Sequence, residues 1–415
     1  MEALTYAARV IRRSLPAAVA ATAVVLLASC SSGSGSDGAT TTRATSATST
    51  PAKADPAYEE MGPSPVGTRT LALADGRRVV VWYPAAPSAA DQPKETFDIA
   101  SLLSPTLQAK IPADLRPQYE IDAHPGAAPA ADGPYPVVLF SHGFAGFPEQ
   151  SADLVTHLAS WGFVVVAPDH VERSLSGLLG TASQGVPKQQ DATVLGRSLD
   201  AAVADAESAS SPLHDLLDLD RVAVTGHSAG ASAAYLLAAK DPRIKAFISY
   251  SLGDGRRDPD QPAPELPVPE VPGMVMLGTA DGIIAPATTR RVYRNMAPPK
   301  YLVEISSAGH LAFSDICLIG QGDGGLISLA DQAGLDLPAN FRVLATDGCE
   351  EAKLDPKEAF AAIDHFSVAF LRYELGIDPQ PVGLDEATAA SFSPTEVRFS
   401  GEAAPQPGAA PTTGS

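Results

Sequence analysis

Cysteine is scarce in this sequence, with three in 415 residues, so at most one intramolecular disulfide is available. Basic side chains are also short: 29 Lys and Arg against 48 Asp and Glu leave a net charge of −19. Such a chain is repelled by phosphate backbones and anionic lipid surfaces, which argues against nucleic acid as a partner. Its 34 glycines and 37 prolines lack a three-residue period, which excludes a collagen-like rod. Internal repeats are missing. So is any apolar span of about 20 residues away from the N-terminus, which excludes a polytopic membrane protein. No ligand cluster at metal spacing occurs, so neither a metal nor another cofactor is implied. What is present is core-forming material. Hydrophobic residues make up 45% and charged residues 19%, which rules out wholesale disorder.

The N-terminus reads as an export signal. Arg9, Arg12 and Arg13 precede a mostly apolar run from Leu15 to Ala28, too short to span a bilayer but suited to a signal-peptide core. It ends Leu27-Ala28-Ser29-Cys30, which resembles the lipobox of bacterial lipoproteins, with Cys30 as the lipidation site. The expected location is extracytoplasmic, anchored to the cell membrane through acyl chains on Cys30. Cys317 and Cys349 then remain in an oxidising compartment and are expected to pair. The expected organisation is a signal peptide at 1–29, a Ser/Thr/Ala-rich tether at 30–62 and a catalytic domain at 63–380. A 311–354 flap is inserted in that domain, and a C-terminal strap and tail occupy 381–415. The chain is expected to act as a monomer.

Within the domain, short apolar runs alternate with helical patterns. Strands are expected at Thr68–Leu73, Arg78–Tyr83, Pro136–Ser141, Phe163–Ala167, Arg221–Thr225, Ala246–Tyr250, Gly273–Leu277 and Tyr301–Ile305. Several are apolar on both faces, as in parallel strands covered on each side. Helices are expected at Ser151–Ser160, Ala229–Ala239, Ala287–Asn295 and Pro356–Leu375, and helical stretches are also read around His157, His214 and His365. The order implies one α/β domain: a doubly wound, mostly parallel eight-stranded sheet with helices on both faces. The segment 258–272 carries six prolines and must be extended.

The strongest chemical signal is Gly226-His227-Ser228-Ala229-Gly230, directly after an expected strand and before a small-residue helix. In that context the pattern is a nucleophile elbow, in which a tight strand-to-helix turn presents the serine in a strained conformation. The serine needs a base. Of eight histidines, His310 lies just past the last apolar strand, after the nucleophile in chain order, and is the candidate. Asp281, in the glycine-led turn after Gly273–Leu277, is the candidate acid, with Asp254 its rival and Asp315 a weaker third. An oxyanion hole is expected from the backbone N–H groups of Ala229 and of Phe144, in the loop Ser141-His142-Gly143-Phe144. Phe144 and Phe147 are expected to form an apolar wall.

These motifs resemble the platelet-activating-factor acetylhydrolase and dienelactone hydrolase-like group of α/β-hydrolases. The likeness runs from Gly67-Thr68-Arg69-Thr70 and Trp82-Tyr83-Pro84 through Phe140-Ser141-His142-Gly143, Leu158–Phe163 and Asp169-His170. It continues through the elbow to Asp281, His310 and Phe313-Ser314-Asp315, covering roughly Gly62 to Leu375. The layout from Phe144 to Gly162 is also similar to bacterial cutinases and polyester hydrolases, from which the proline-rich segment and the flap depart. The resemblance implies an α/β-hydrolase fold and a cofactor-free serine esterase. It would cleave short-acyl or lipid-like carboxylic esters through an acyl-enzyme. A polyester hydrolase, a serine peptidase and a catalytically silent surface binding protein are the alternatives.

Overall fold

Valine-rich runs flanked by turn residues set the frame. In the computed structural model, residues 54–256 and 262–404 are described. Cys30, the signal segment, most of the tether and the tail from 405 lie outside them. The strands in chain order are β1 (Val66–Ala72), β2 (Arg78–Pro84), β3 (Glu95–Asp98), β4 (Gln118–Ile121), β5 (His124–Pro125) and β6 (Tyr135–Ser141). They continue as β7 (Val164–Pro168), β8 (Leu217–His227), β9 (Ile244–Tyr250), β10 (Gly273–Gly278), β11 (Lys300–Ile305) and β12 (Val397–Glu402). Among the described residues, ten of them form one sheet in the order β12-β11-β10-β9-β8-β6-β7-β2-β1-β5. From β11 to β7 the pairing is parallel, while β2, β1 and β12 join antiparallel.

All seven residues of β6 and all five of β7 are buried, because both faces of the sheet are covered. One face packs on Ala152–Ser160 and Pro356–Glu374 through residues such as Val155, Leu158, Phe366 and Phe370. The other packs on Asp191–Ala206, Ala229–Ala238 and Pro286–Asn295. Buried Val194, Leu195, Leu199 and Ala202 face the sheet from Asp191–Ala206. That helix was not among those expected, since its apolar face is short and holds Ser198 between the buried Leu195 and Leu199. His214 lies in a turn rather than in a helical stretch.

The ends of the domain depart from expectation. The strap is a sheet strand: β12 pairs with β11 from Ile305↔Val397 to Lys300↔Glu402, burying Val397 and Phe399 while Arg398 and Ser400 stay out. Together with the two-residue β5 it raises eight strands to ten. The last residues assigned to the tether are packed as well. Tyr58 is buried edge-on against Trp161, and its hydroxyl donates to Asp378. The flap is helical, with Gly325–Gln332 and Ala339–Leu344 between short turns. Cys317 and Cys349 are joined across it, 32 residues apart in sequence. In the chain-entropy view, closing a loop of that size stabilises by about 3–4 kcal/mol. The described part of the proline-rich segment, from 262 on, runs in neither helix nor strand until β10.

A polar cluster lies under the root of the flap. Asp315 accepts from Tyr119 and from the Asp153 N–H. Oδ2 of Asp153 and Oδ1 of Asp364 meet no donor among the described residues. Burial pushes the Asp364 and Asp315 carboxyls up, and the neighbouring Asp153 carboxyl adds to the shift. A folded-state value above the unfolded one favours folding at low pH, and that contribution is lost as pH rises through the raised value. Asp364→Asn should therefore raise the melting temperature at pH 8, by roughly 1–3 °C, and do so less at pH 5. A thermal melt at both pH values checks this.

Candidate active site

Four loops leave the C-terminal edge of the parallel sheet toward one point, the edge where open α/β sheets build their sites. They follow β6, β8, β10 and β11. At the end of β8 the chain turns through Ser228, with φ 58° and ψ −116°, straight into the helix Ala229–Ala238. The turn needs its glycines. A Cβ at Gly226 would sit 2.4 Å from the Gly230 carbonyl oxygen, and one at Gly230 would sit 1.8 Å from that of Ser141. Ser228 is the hub of this crossing.

The structure brings Ser228, His310 and Asp281 together. The Ser228 hydroxyl donates to Nε2 of His310 at 2.8 Å, and Nδ1–H of His310 donates to Oδ2 of Asp281 at 2.9 Å. The other oxygen of Asp281 accepts from the N–H groups of Ile283 and Ile284, each at 2.8 Å. Burial alone would push the Asp281 carboxyl up. The His310 ring and these donors outweigh burial and hold it below the usual carboxylate range. Asp254 stands apart, paired with Arg256 and Arg291, and Asp315 belongs to the cluster under the flap.

His227 has a supporting place. Its Nε2–H donates to the His310 carbonyl at 2.9 Å, and its Nδ1 accepts from Gln150, whose Oε1 accepts the Gly143 N–H. Burial, with the His310 ring beside it, pushes the His227 ring down to about 3, so it stays neutral as this pattern requires. His170 does not face the cavity. It is buried with Nε2 against the Ser141 hydroxyl and Nδ1 beside Asp191.

The loop after β6 is held by a residue that no sequence motif marks. Arg173 donates through Nη1 to the carbonyls of His142 and Gly143, through Nη2 to the Ser141 hydroxyl and through Nε to Asp191. In a trans peptide the N–H points opposite to the C=O. Fixing the Gly143 carbonyl on Arg173 therefore directs the Phe144 N–H away from it. The N–H groups of Phe144 and Ala229 donate to no other protein group among the described residues. No local signal marks Arg173, because the loop it holds lies about 30 residues upstream.

Beyond Ser228 opens a cavity of about 150 Å³, floored by Phe147, Leu175 and Leu179 and roofed by the flap through Leu326, Leu329, Leu337 and Phe341. Phe144 meets Phe341 edge-on at 6.0 Å, and Phe147 stacks on Phe97 at 5.2 Å. Among the described residues, every side chain lining the cavity is uncharged or, as with His310, belongs to the site itself. No group of three or more His, Cys, Asp or Glu suited to hold a metal ion occurs among the described residues.

Comparison with known proteins agrees with this architecture. A family model described as chlorophyllase matches residues 126–253, the stretch holding the β6 loop and the elbow but not Asp281 or His310. A putative carboxymethylenebutenolidase of Methylorubrum extorquens is 32% identical over 178 residues, 40% of this chain and 58% of that protein. A cutinase of Thermobifida alba, est2, is 28% identical over 191 residues, 44% of this chain and 55% of that protein. The chain thus spans a little over half the length of these relatives. A solved structure of a ferulic acid esterase from Streptomyces cinnamoneus superposes with a TM-score of 0.52 at 22% identity, covering 81% of this chain and 96% of that one. The protein has the α/β-hydrolase fold, and its residues 126–253 match the chlorophyllase family.

Proposed function

We propose that the protein is a serine carboxylic-ester hydrolase acting on uncharged esters with an apolar arm. The observation that carries this reading is a hydrogen-bonded Ser228–His310–Asp281 chain opening onto a cavity without a charged wall. Ser228 Oγ attacks the ester carbonyl while His310 Nε2 takes its proton, and Asp281 stabilises the imidazolium that forms. The N–H groups of Ala229 and Phe144 donate to the developing oxyanion from a preset geometry, aided by the N-terminus of the helix that follows Ser228. His310 then returns its proton to the leaving alcohol. Water, activated by the same ring, frees the acid from the acyl-enzyme.

The roofed cavity favours a small, lipid-like ester over a polymer, which would need an open groove. It also has more apolar wall than an acetyl group can use. Each methylene buried there contributes about 0.8 kcal/mol. On a p-nitrophenyl series, kcat/KM should therefore rise about two- to fourfold per methylene from acetyl upward until the cavity fills, and Ser228→Ala should abolish turnover. Activity highest on acetyl would contradict the apolar arm, and turnover independent of Ser228 would contradict the hydrolase reading.

Arg173 is expected to serve the oxyanion site from behind. Lysine cannot reach three acceptors with a planar fork. Arg173→Lys should lower kcat about tenfold or more, with a smaller change in KM, as measured by steady-state kinetics.

The location we propose is the outer face of the cell membrane, with acyl chains on Cys30. Its support is the small-residue run Leu27-Ala28-Ser29 ending the apolar segment. Cells fed an alkyne fatty acid should label the protein, and Cys30→Ser should lose the label.

A further inference from the structure

His310 is gripped by its backbone from two sides. His227 takes its carbonyl, and the grip on its N–H comes from the far end of the flap. There Asp347, 6% exposed, accepts the His310 N–H through Oδ1 at 2.7 Å. The same carboxylate accepts the N–H of Gly282, the residue after Asp281, at 3.1 and 3.3 Å. Lys353 pairs with its Oδ2 at 2.8 Å, which offsets a second buried carboxylate close to Asp281. The Asp347 carbonyl accepts the Leu311 N–H, and the Leu354 N–H donates back to Ser307.

This contact is too close for side chains. A Cβ on Gly282 would lie 2.3 Å from Asp347 Oδ2, and one on Gly309 would lie 2.5 Å from the Cα of Gly348. Gly348 itself has φ +113°, which an L side chain rarely adopts. Two residues beyond Asp347, Cys349 is bonded to Cys317 at the start of the flap. The roots of the acid and base loops are already joined, by the Ala280 N–H on Ala308 and the Ser307 N–H on Thr279. Asp347 spans their tips, next to the Asp281–His310 bond.

We propose that Asp347 is a positioning residue of the catalytic site: its carboxylate locks the acid loop to the base loop, so the disulfide-closed flap sets the orientation of His310. The inference rests on the assignment of Ser228, His310 and Asp281 as the triad. It gives the flap a second task besides roofing the cavity.

The test compares Asp347→Ala and Asp347→Asn with the wild type on one p-nitrophenyl ester, with active sites counted by fluorophosphonate titration. Misplacing a catalytic group by about 1 Å costs on the order of 100-fold. Asp347→Ala should lower kcat per titrated site about 10- to 100-fold while KM stays within about threefold. The acid limb of its kcat/KM profile should move to lower pH, because a loosened Asp281 stabilises the imidazolium less. Asp347→Asn keeps one oxygen for the His310 N–H and should give an intermediate kcat. It is the deciding variant if the alanine protein does not fold. A kcat per titrated site within twofold of wild type, or a loss confined to KM or to the titratable fraction, would overturn the inference. A wild-type protein without Ser228-dependent turnover would overturn the hydrolase reading, and this inference with it.

Discussion

The turn at Ser228 is the constraint on which the site depends. Its positive φ places Oγ above the sheet edge and costs on the order of 1–3 kcal/mol, which surrounding structure must over-determine. It does so by close backbone contact. Gly226 admits the carbonyls of Gly230 and Ser141, and Gly230 those of Ser141 and His142, so the β6 loop and the elbow are fitted directly against one another. Buried parallel strands on either side, with helices over both faces, keep that fit rigid.

From the turn outward, each group of the candidate site is held through its backbone as well as its side chain. Arg173 fixes the carbonyls of the β6 loop, and Gln150 and His227 link that loop to the His310 carbonyl. Asp281 is seated on two N–H groups of its own turn. Such a site requires little reorganisation when charge develops, which is where electrostatic stabilisation is most effective. The apolar cavity adds to this by excluding water from the same electrostatics. The flap supplies half of that wall, and the disulfide keeps its ends together.

What the sequence made legible follows from how local each signal is. The elbow, the turn at Asp281 and the loop at His310 each sit at the end of an apolar run, so chain order and composition pointed to them. The eight central strands were visible for the same reason. β12 was not, because its alternation spans only Val397 and Phe399 and its partner lies about 95 residues earlier. The helix Asp191–Ala206 was hidden because its buried face is short: Val194, Leu195, Leu199 and Ala202, with Ser198 among them. Tyr58 sits in a segment of tether-like composition, and only the fold brings it to Trp161 and Asp378. Arg173 and Asp347 carry no motif at all. Their roles exist only in bonds to distant loops.

Ser228, as we propose, is a nucleophile activated by His310. Covalent capture decides this: incubation with an alkyl fluorophosphonate, then mapping of the adduct by tandem mass spectrometry. A single adduct is expected on Ser228, formed at a rate that collapses in His310→Ala. No adduct, an adduct on another residue, or labelling at an unchanged rate without His310 would contradict it.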